Sequence, residues 1–197
     1  MRRTFAIVVG LLVLVTGRSW SFQAGDKLKS GPQPGESIPG PFHLLNINGT
    51  YAGDPHCLVC EYGLKPVAAV FARSIPETGK PLANLLQKLD ETVGKNQASE
   101  FRGFAAFLSP DYATDDTRKD LVQKLERVVN ELALKQTVLC VGADSPEKYT
   151  INKDADVTVI LYHNHKVVAN FAYEKDKLGD KDVAAIVAAF EKMRIKR

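Results

Sequence analysis

Side chains capable of chemistry are concentrated in the stretch DPHCLVCEYGLKPVAAVFAR, residues 54–73. Cys57 and Cys60 form a Cys-x-x-Cys pair, and His56 lies directly before the first cysteine. Pairs with this spacing exchange disulfides, close a small structural disulfide or bind a metal ion. The stretch therefore predicts redox, structural or metal chemistry, and the spacing alone does not choose among the three.

A dithiol site needs one thiolate that forms readily and that the sulfur of a partner can reach. A protonated His56 would stabilise a thiolate at Cys57, with Lys65 as a second cation nearby and Glu61 acting in the opposite direction. We expect the pair to lie in a loop in which Cys57 is the more exposed sulfur. The predicted catalytic residues are therefore Cys57 as the attacking thiol, Cys60 as the resolving thiol and His56 as their assistant.

The third cysteine, Cys140, lies within the apolar run TVLCV, residues 137–141. Free cysteine is commonly buried as a small hydrophobic residue, and that is the interpretation we favour. A resolving role would require its Cα atom to come within about 4.4–6.8 Å of the Cα atom of Cys57 or Cys60.

The amino terminus has the pattern of an export signal. Arg2 and Arg3 precede the apolar run of residues 5–15, and small and polar residues follow up to Ser21. We predict a cleaved signal over residues 1–21 and an exported, periplasmic or extracellular protein. Contact with a membrane is expected only if this segment stays attached, because the run is shorter than the roughly 20 residues of a spanning helix.

Removal of residues 1–21 takes away three arginines and no acidic residue, so the formal charge falls from +3 to zero. A neutral chain without a basic stripe is not expected to bind nucleic acid. Cysteines in an exported protein tend to form disulfides, which agrees with a bond between Cys57 and Cys60.

The hydrophobic pattern predicts one domain over residues 42–197, preceded by a lead-in rich in proline and glycine over residues 22–41. Continuous apolar runs predict buried strands, and leucines and valines at helical spacing predict amphipathic helices between them. The predicted order is β-α-β-α-β, then a β-hairpin around HNHK, then a helix. This order predicts an α/β fold: a three-layer α/β/α sandwich whose mixed sheet ends in a C-terminal β-hairpin and helix.

The element order, together with TVLCVGAD, SPEKYTI and DVTVILYHNHKVV, resembles the thioredoxin-like superfamily, nearest its peroxiredoxin and thiol-specific antioxidant branch. The resemblance covers about residues 41–195 and implies a thioredoxin-like sandwich. It also implies that a reactive cysteine would lie between the first core strand and its helix, where this chain has RSIPETG, residues 73–79. Since that segment has no cysteine, the pair is displaced, and a peroxidase of the peroxiredoxin type is disfavoured.

The resemblance also implies a cis-proline just before the first hairpin strand, where this chain has Asp156 and Val157. The copper-delivery branch of the same superfamily suggests a metal site made of Cys57, Cys60, His163 and His165, because thiolates and imidazoles suit copper. An exposed turn explains the two histidines more simply, so we predict no metal and no cofactor.

Three hypotheses follow. The first is an exported thioredoxin-like protein that exchanges disulfides with the thiols or disulfides of other exported proteins through Cys57 and Cys60; on this hypothesis it would be a thiol-disulfide oxidoreductase. The second is a non-catalytic thioredoxin-like binding module in which the same bond is structural. The third is the copper-handling protein.

Overall fold

A computed structural model describes residues 28–194. The predicted export signal and the first residues of the lead-in lie outside the described residues, so the boundaries at residues 21 and 41 stay predictions. No helix within residues 28–194 combines the length and the apolar character needed to cross a membrane.

Seven strands and four α-helices form within the described residues. The strands are β1 (Leu44–Asn46), β2 (Pro55–His56), β3 (Val67–Ala72), β4 (Arg102–Leu108), β5 (Thr137–Gly142), β6 (Val157–His163) and β7 (Lys166–Tyr173). The helices are α1 (Leu58–Tyr62), α2 (Pro81–Lys95), α3 (Asp115–Glu131) and α4 (Asp180–Glu191). The predicted order from β3 to α4 is confirmed, whereas β2 and α1 were not predicted.

The strands form a single mixed sheet in the order β2-β1-β5-β4-β3-β6-β7. Strands β3, β4 and β5 are parallel because helical crossovers connect them, and β6 and β7 form the predicted antiparallel hairpin. Strand β6 pairs antiparallel with β3, and β1 pairs antiparallel with β5. The three central strands are buried on both faces, which explains their continuous apolar sequences.

Helices α2, α3 and α4 pack on one face of the sheet. The crossovers from β3 to β4 and from β4 to β5 step in the same direction along the sheet. Because both have the same handedness, their helices lie on the same face. The leucines and the valine at helical spacing in α2 are buried: Leu82, Leu85, Leu86, Leu89 and Val93. Phe101, just before β4, packs against Phe190 of α4 with ring centroids 4.6 Å apart.

The opposite face carries a thinner layer made of α1, residues 28–42 and a single turn at Glu147–Tyr149. An aromatic cluster fills its centre, in which Phe42 contacts Phe71, Phe104 and Tyr149. With this layer the predicted three-layer α/β/α sandwich is confirmed.

The described part of the lead-in, residues 28–41, is a packed segment that we call the strap. The Ser30 hydroxyl lies 2.6 Å from the Thr158 hydroxyl, and both residues are buried. The side-chain amide of Asn170 donates to the carbonyls of Ser30 and Pro32, each at 2.8 Å. The strap is therefore tied to β6 and β7 at several points and lies against the same face of the sheet as α1.

Candidate functional site

Cys57 and Cys60 lie at the start of a helix and not in the predicted loop. Cys57 is the residue before α1, and the helix runs over Leu58–Tyr62. Leu58, Val59 and Tyr62 are buried against the sheet, so one apolar face holds this short helix in place. Gly63 ends the helix with φ at +55°, a conformation that favours glycine.

The two cysteines form a disulfide, with Cα atoms 5.3 Å apart. The bond closes a ring with a sequence separation of 3. The backbone N–H of Cys60 donates to Sγ of Cys57 at 3.1 Å. The first sulfur is thus both the disulfide partner and the hydrogen-bond acceptor at the start of the helix.

The exposure of the two sulfurs is the reverse of what the sequence suggested. Cys57 is 4% exposed and belongs to the apolar cluster beneath α1, whereas Cys60 is exposed. The expectation that Cys57 is the more accessible thiol is wrong. The reason for the burial of Cys57 is local. The buried side of α1 faces β3 and β4, and Cys57, the residue before the helix, lies on that side.

The pair lies towards the end of the sheet at which the parallel strands begin. The first residue of β3, Val67, follows α1 after a four-residue link and pairs with Arg102 and Tyr162. Glu61 and Tyr62 line a cavity together with His163, the last residue of β6, and Asn164 of the β6–β7 turn. The link does not carry the pair to the carboxyl ends of the strands, so the displaced position suggested by the sequence is retained.

His56 contacts a carboxylate and an aromatic ring. Its Nε2 atom lies 2.9 Å from Glu61 Oε2, and its ring stacks on Tyr51 with centroids 3.7 Å apart. These contacts join β2 and the preceding turn to α1. Lys65, the second cation considered, lies 3.3 Å from Glu100 Oε1.

A concave surface opens beside the exposed residue Cys60. The cavity has a volume of about 400 Å³. Its lining comes from the strap, from α1 and from the β6–β7 turn: Ser37, Ile38, Gly40, Pro41, Val59, Cys60, Gly63 and His165. The strap holds its place here because Ile38 N–H donates to the His165 carbonyl at 2.9 Å. We call this concave surface the Cys60 cavity.

Cys140 is 1% exposed and is not part of a disulfide. It lies on β5, on the sheet face covered by α1. Burial raises the pKa of the Cys140 thiol above its ordinary value of 9.0, so the thiol stays protonated. The preferred interpretation, a small buried residue, agrees with these properties.

The position at which the superfamily resemblance places a reactive cysteine is occupied by a hydrogen-bonded loop. Ser74 Oγ donates to Asp156 Oδ1 at 2.6 Å, and Arg73 N–H donates to the Asp156 carbonyl at 2.9 Å. No cysteine lies between Arg73 and Gly79, and none of the peptide bonds in residues 28–194 is cis. That position therefore has neither a cysteine nor a cis-proline.

The two histidines of the copper alternative line different cavities. His165 lines the Cys60 cavity, whereas His163 lines the neighbouring cavity with Glu61 and Glu100. Within the described part of the chain, no three or more His, Cys, Asp or Glu side chains come together in a way that could hold a metal ion. This arrangement gives the metal set Cys57, Cys60, His163 and His165 no support.

Two features of the site escaped prediction although the sequence carried a signal for one of them. Leu58, Val59 and Tyr62 followed by Gly63 is the pattern of a single apolar helical turn ending at a glycine. The contributions of Ile38 and His165 depend on contacts across more than a hundred residues, for which the sequence alone offers no comparable signal.

Comparisons with known proteins support the fold. No family model and no curated relative matches the chain in sequence. The chain is similar to a thiol peroxidase from Chromobacterium violaceum, with a TM-score of 0.58, 13% identity and coverage of 86% of this chain and 92% of the other. It is also similar to the thioredoxin domain of a thiol-disulfide oxidoreductase from Bacteroides vulgatus, with a TM-score of 0.52, 16% identity and coverage of 83% and 99%.

A peroxidoxin from Mycobacterium tuberculosis gives a TM-score of 0.53 at 13% identity, with coverage of 83% of this chain and 99% of the other. These similarities extend over nearly the whole length of the three structures. The fold is therefore thioredoxin-like, as the sequence resemblance implied, and it carries a Cys-x-x-Cys pair at a displaced position.

Proposed function

We propose that this chain is an exported thioredoxin-like protein that exchanges disulfides with the thiols or disulfides of other exported proteins through Cys57 and Cys60. The observation that carries the proposal is a disulfide spanning a single helical turn, in which one cysteine, Cys60, is exposed and lines a cavity on a thioredoxin-like scaffold. Structural similarity to a thiol-disulfide oxidoreductase domain supports the same class of chemistry.

The chemistry follows from access. A disulfide is exchanged when a thiolate reaches one of its sulfurs, and exposed disulfides are the more easily reduced ones. The exposed Cys60 provides such access, and the short ring keeps the second sulfur close when the bond opens. The pair can therefore pass between disulfide and dithiol with little movement of the surrounding fold.

Export is part of the proposal and rests on the pattern of residues 1–21, which precedes the described part of the chain. An oxidising compartment is also the environment in which a Cys57–Cys60 disulfide persists. Sequencing the amino terminus of the protein recovered outside the cytoplasm is expected to find a start close to residue 22. Recovery of the intact chain only from the cytoplasm would contradict export.

A second candidate, the binding module with a structural disulfide, is favoured by the burial of Cys57 under an apolar cluster. In that case the bond would only fix α1 on the sheet. The two functions differ in one measurable property, which is whether the Cys57–Cys60 disulfide is repeatedly reduced and re-formed while it reacts with a substrate.

Turnover is tested by the reduction of insulin disulfides with dithiothreitol as the electron source, followed as turbidity. The control is the double variant Cys57→Ser, Cys60→Ser, which keeps Cys140 and the rest of the surface. We expect the unmodified chain to accelerate the reaction well above the double variant. Equal rates for the two proteins would contradict the exchange function and leave the structural disulfide.

A further inference from the structure

The two sulfurs of the disulfide differ in the direction from which a partner can approach. An attacking thiolate reaches a disulfide sulfur along the line of the S–S bond, from the side opposite the departing sulfur. Cys57 is 4% exposed and belongs to the same apolar cluster as Leu58 and Val59, which leaves little room for an approaching thiolate. Cys60 is exposed and opens to solvent.

The space in front of Cys60 is shaped to receive more than a single atom. The Cys60 cavity holds about 400 Å³, and apolar side chains of Ile38, Pro41 and Val59 form much of its wall. A cavity of this size takes a cysteine side chain together with a neighbouring side chain. The cavity therefore suits a cysteine in an exposed polypeptide segment with apolar residues beside it.

The surroundings of Cys57 suit a sulfur that leaves the disulfide as a thiolate and later re-forms the bond with Cys60. Its Sγ atom accepts a hydrogen bond from Cys60 N–H at 3.1 Å. A hydrogen bond to a charged acceptor is stronger than one to a neutral acceptor, so this contact would strengthen when Cys57 departs as a thiolate. Because Cys57 lies inside the cluster under α1, it would also stay close to Cys60 in the opened state.

We propose that the exchange runs in inverted order: Cys60, the second cysteine of the motif, forms the mixed disulfide with the partner, and Cys57 is the leaving and resolving sulfur. This inference rests on the proposed exchange function and deepens it. It replaces the order predicted from the sequence, in which Cys57 attacks.

In the oxidising direction, a partner thiolate attacks Sγ of Cys60. A bond forms between these two sulfurs, the Cys57–Cys60 bond breaks and Cys57 leaves as a thiolate that takes up a proton. A second thiolate of the partner then attacks the partner sulfur of the mixed disulfide, and Cys60 leaves as a thiolate and is protonated. The partner gains a disulfide and loses two electrons and two protons, which the Cys57–Cys60 pair receives.

The order is tested with the single variants Cys57→Ser and Cys60→Ser reacted with 2,2′-dithiodipyridine, a small neutral disulfide whose thiopyridone product is coloured. Each variant keeps one thiol of the pair, and the double variant Cys57→Ser, Cys60→Ser supplies the background from Cys140. We expect the Cys60 thiol of Cys57→Ser to react at least about tenfold faster than the Cys57 thiol of Cys60→Ser, because access controls the rate. Equal rates, or a faster Cys57, would overturn the inverted order.

Limited alkylation of the reduced, unmodified chain decides the question if either variant does not fold. With iodoacetamide below one equivalent, peptide mapping is expected to find the label on Cys60 first; labelling of Cys57 first would contradict the proposal. The insulin assay tests the proposed exchange function independently of the order in which the two cysteines react. Turnover of insulin together with first labelling at Cys57 would contradict only the inverted order. First labelling at Cys60 without turnover of insulin would contradict the proposed exchange function.

Discussion

The properties of Cys57 and Cys60 are set by the single helical turn that joins them. Cys57 precedes α1 and is drawn into the apolar cluster with Leu58, and Cys60 follows three residues later on the exposed side. The cations that the sequence offered for thiolate stabilisation lie against carboxylates, His56 with Glu61 and Lys65 with Glu100. Access and the Cys60 N–H contact are therefore the main differences between the two sulfurs that the structure provides.

Cys140 is expected to be chemically silent in the folded protein. Burial raises its thiol pKa, so very little thiolate is present even at pH 9.0, the ordinary thiol pKa. The oxidised chain incubated with iodoacetamide near that pH should remain unlabelled, and the same chain in guanidinium should take up one label at Cys140. Rapid labelling of the native oxidised chain would show that Cys140 is accessible, and its resolving role would then return.

At the scale of single elements, α1 depends on how it ends. Gly63 has φ at +55°, and a Cβ atom added there would meet nothing within 4 Å, so only the backbone conformation opposes a side chain. Gly63→Ala is expected to lower the free energy of unfolding by about 1–2 kcal/mol. Thermal or urea unfolding measures this loss.

Gly94→Ala is the matched control for that substitution. Gly94 lies within α2, and a Cβ atom there would meet Gln136 Cγ at 3.6 Å, an ordinary contact distance. Alanine favours helix over glycine by about 0.8–1.0 kcal/mol in a helix interior and by less in the last turn, where Gly94 lies, so this variant should be slightly more stable than the unmodified chain. Equal effects of the two substitutions would contradict the conformational role of Gly63.

The start of β5 is tied to α2 by one carboxylate. Asp90 accepts backbone N–H bonds from Lys135, Gln136 and Thr137, at 2.7–3.2 Å. Asp90→Ala leaves three donors without this partner and is expected to cost about 2–3 kcal/mol of unfolding free energy. The cost is measured by urea denaturation.

Glu91→Ala provides the comparison because Glu91 is the next residue of the same helix. Its carboxylate pairs with Lys95 at 3.0 Å on an exposed surface, so its removal should cost no more than about 0.5 kcal/mol. A loss for Asp90→Ala as small as that for Glu91→Ala would contradict the proposed tie between α2 and β5.

The long elements were predictable because each one carries a repeated local signal. Val67–Ala72 is apolar at every position, and the whole run forms one buried strand. β2 has two residues and α1 has five, which is too short for an apolar period to be recognised. The only local signal for α1 is its single apolar turn ending at Gly63, so the residues of the candidate site were predicted while the helix that presents them was missed.

At the scale of the whole molecule, the candidate site depends on contacts between distant parts of the chain. The Cys60 cavity takes one wall from the strap and another from the β6–β7 turn, which lie far from Cys60 in sequence. A sequence pattern describes local preference, so it could predict the thioredoxin-like order of elements but not which cysteine lines the cavity. The exposure of the pair is a property of the assembled fold.

Alkaline pH is expected to destabilise the whole fold. Burial raises the pKa values of Cys140 and of Tyr62, Tyr149 and Tyr162 above their ordinary values of 9.0 for cysteine and 10.0 for tyrosine. The folded chain keeps these groups protonated while the unfolded chain ionises. Stability is therefore full below about pH 9 and falls as the pH rises further, by up to about 1.4 kcal/mol per pH unit for each group.

Urea denaturation at a series of pH values measures this decline. Tyr162→Phe is the informative variant, because the Tyr162 hydroxyl is buried and has no hydrogen-bond partner within residues 28–194. This variant should be at least as stable as the unmodified chain at neutral pH and should lose stability less steeply above pH 10. An unchanged slope would contradict the contribution assigned to Tyr162.

The reduction potential of the Cys57–Cys60 pair tests most directly whether the disulfide is exchangeable from its displaced position. The chain is equilibrated in dithiothreitol or glutathione buffers of known potential, and the reduced fraction is read by alkylation and mass, with Cys57→Ser as the control that cannot form the bond. We expect a midpoint between about −270 and −120 mV, the range of dithiol oxidoreductases. A midpoint below about −300 mV would instead identify a permanent structural disulfide and contradict the exchange function.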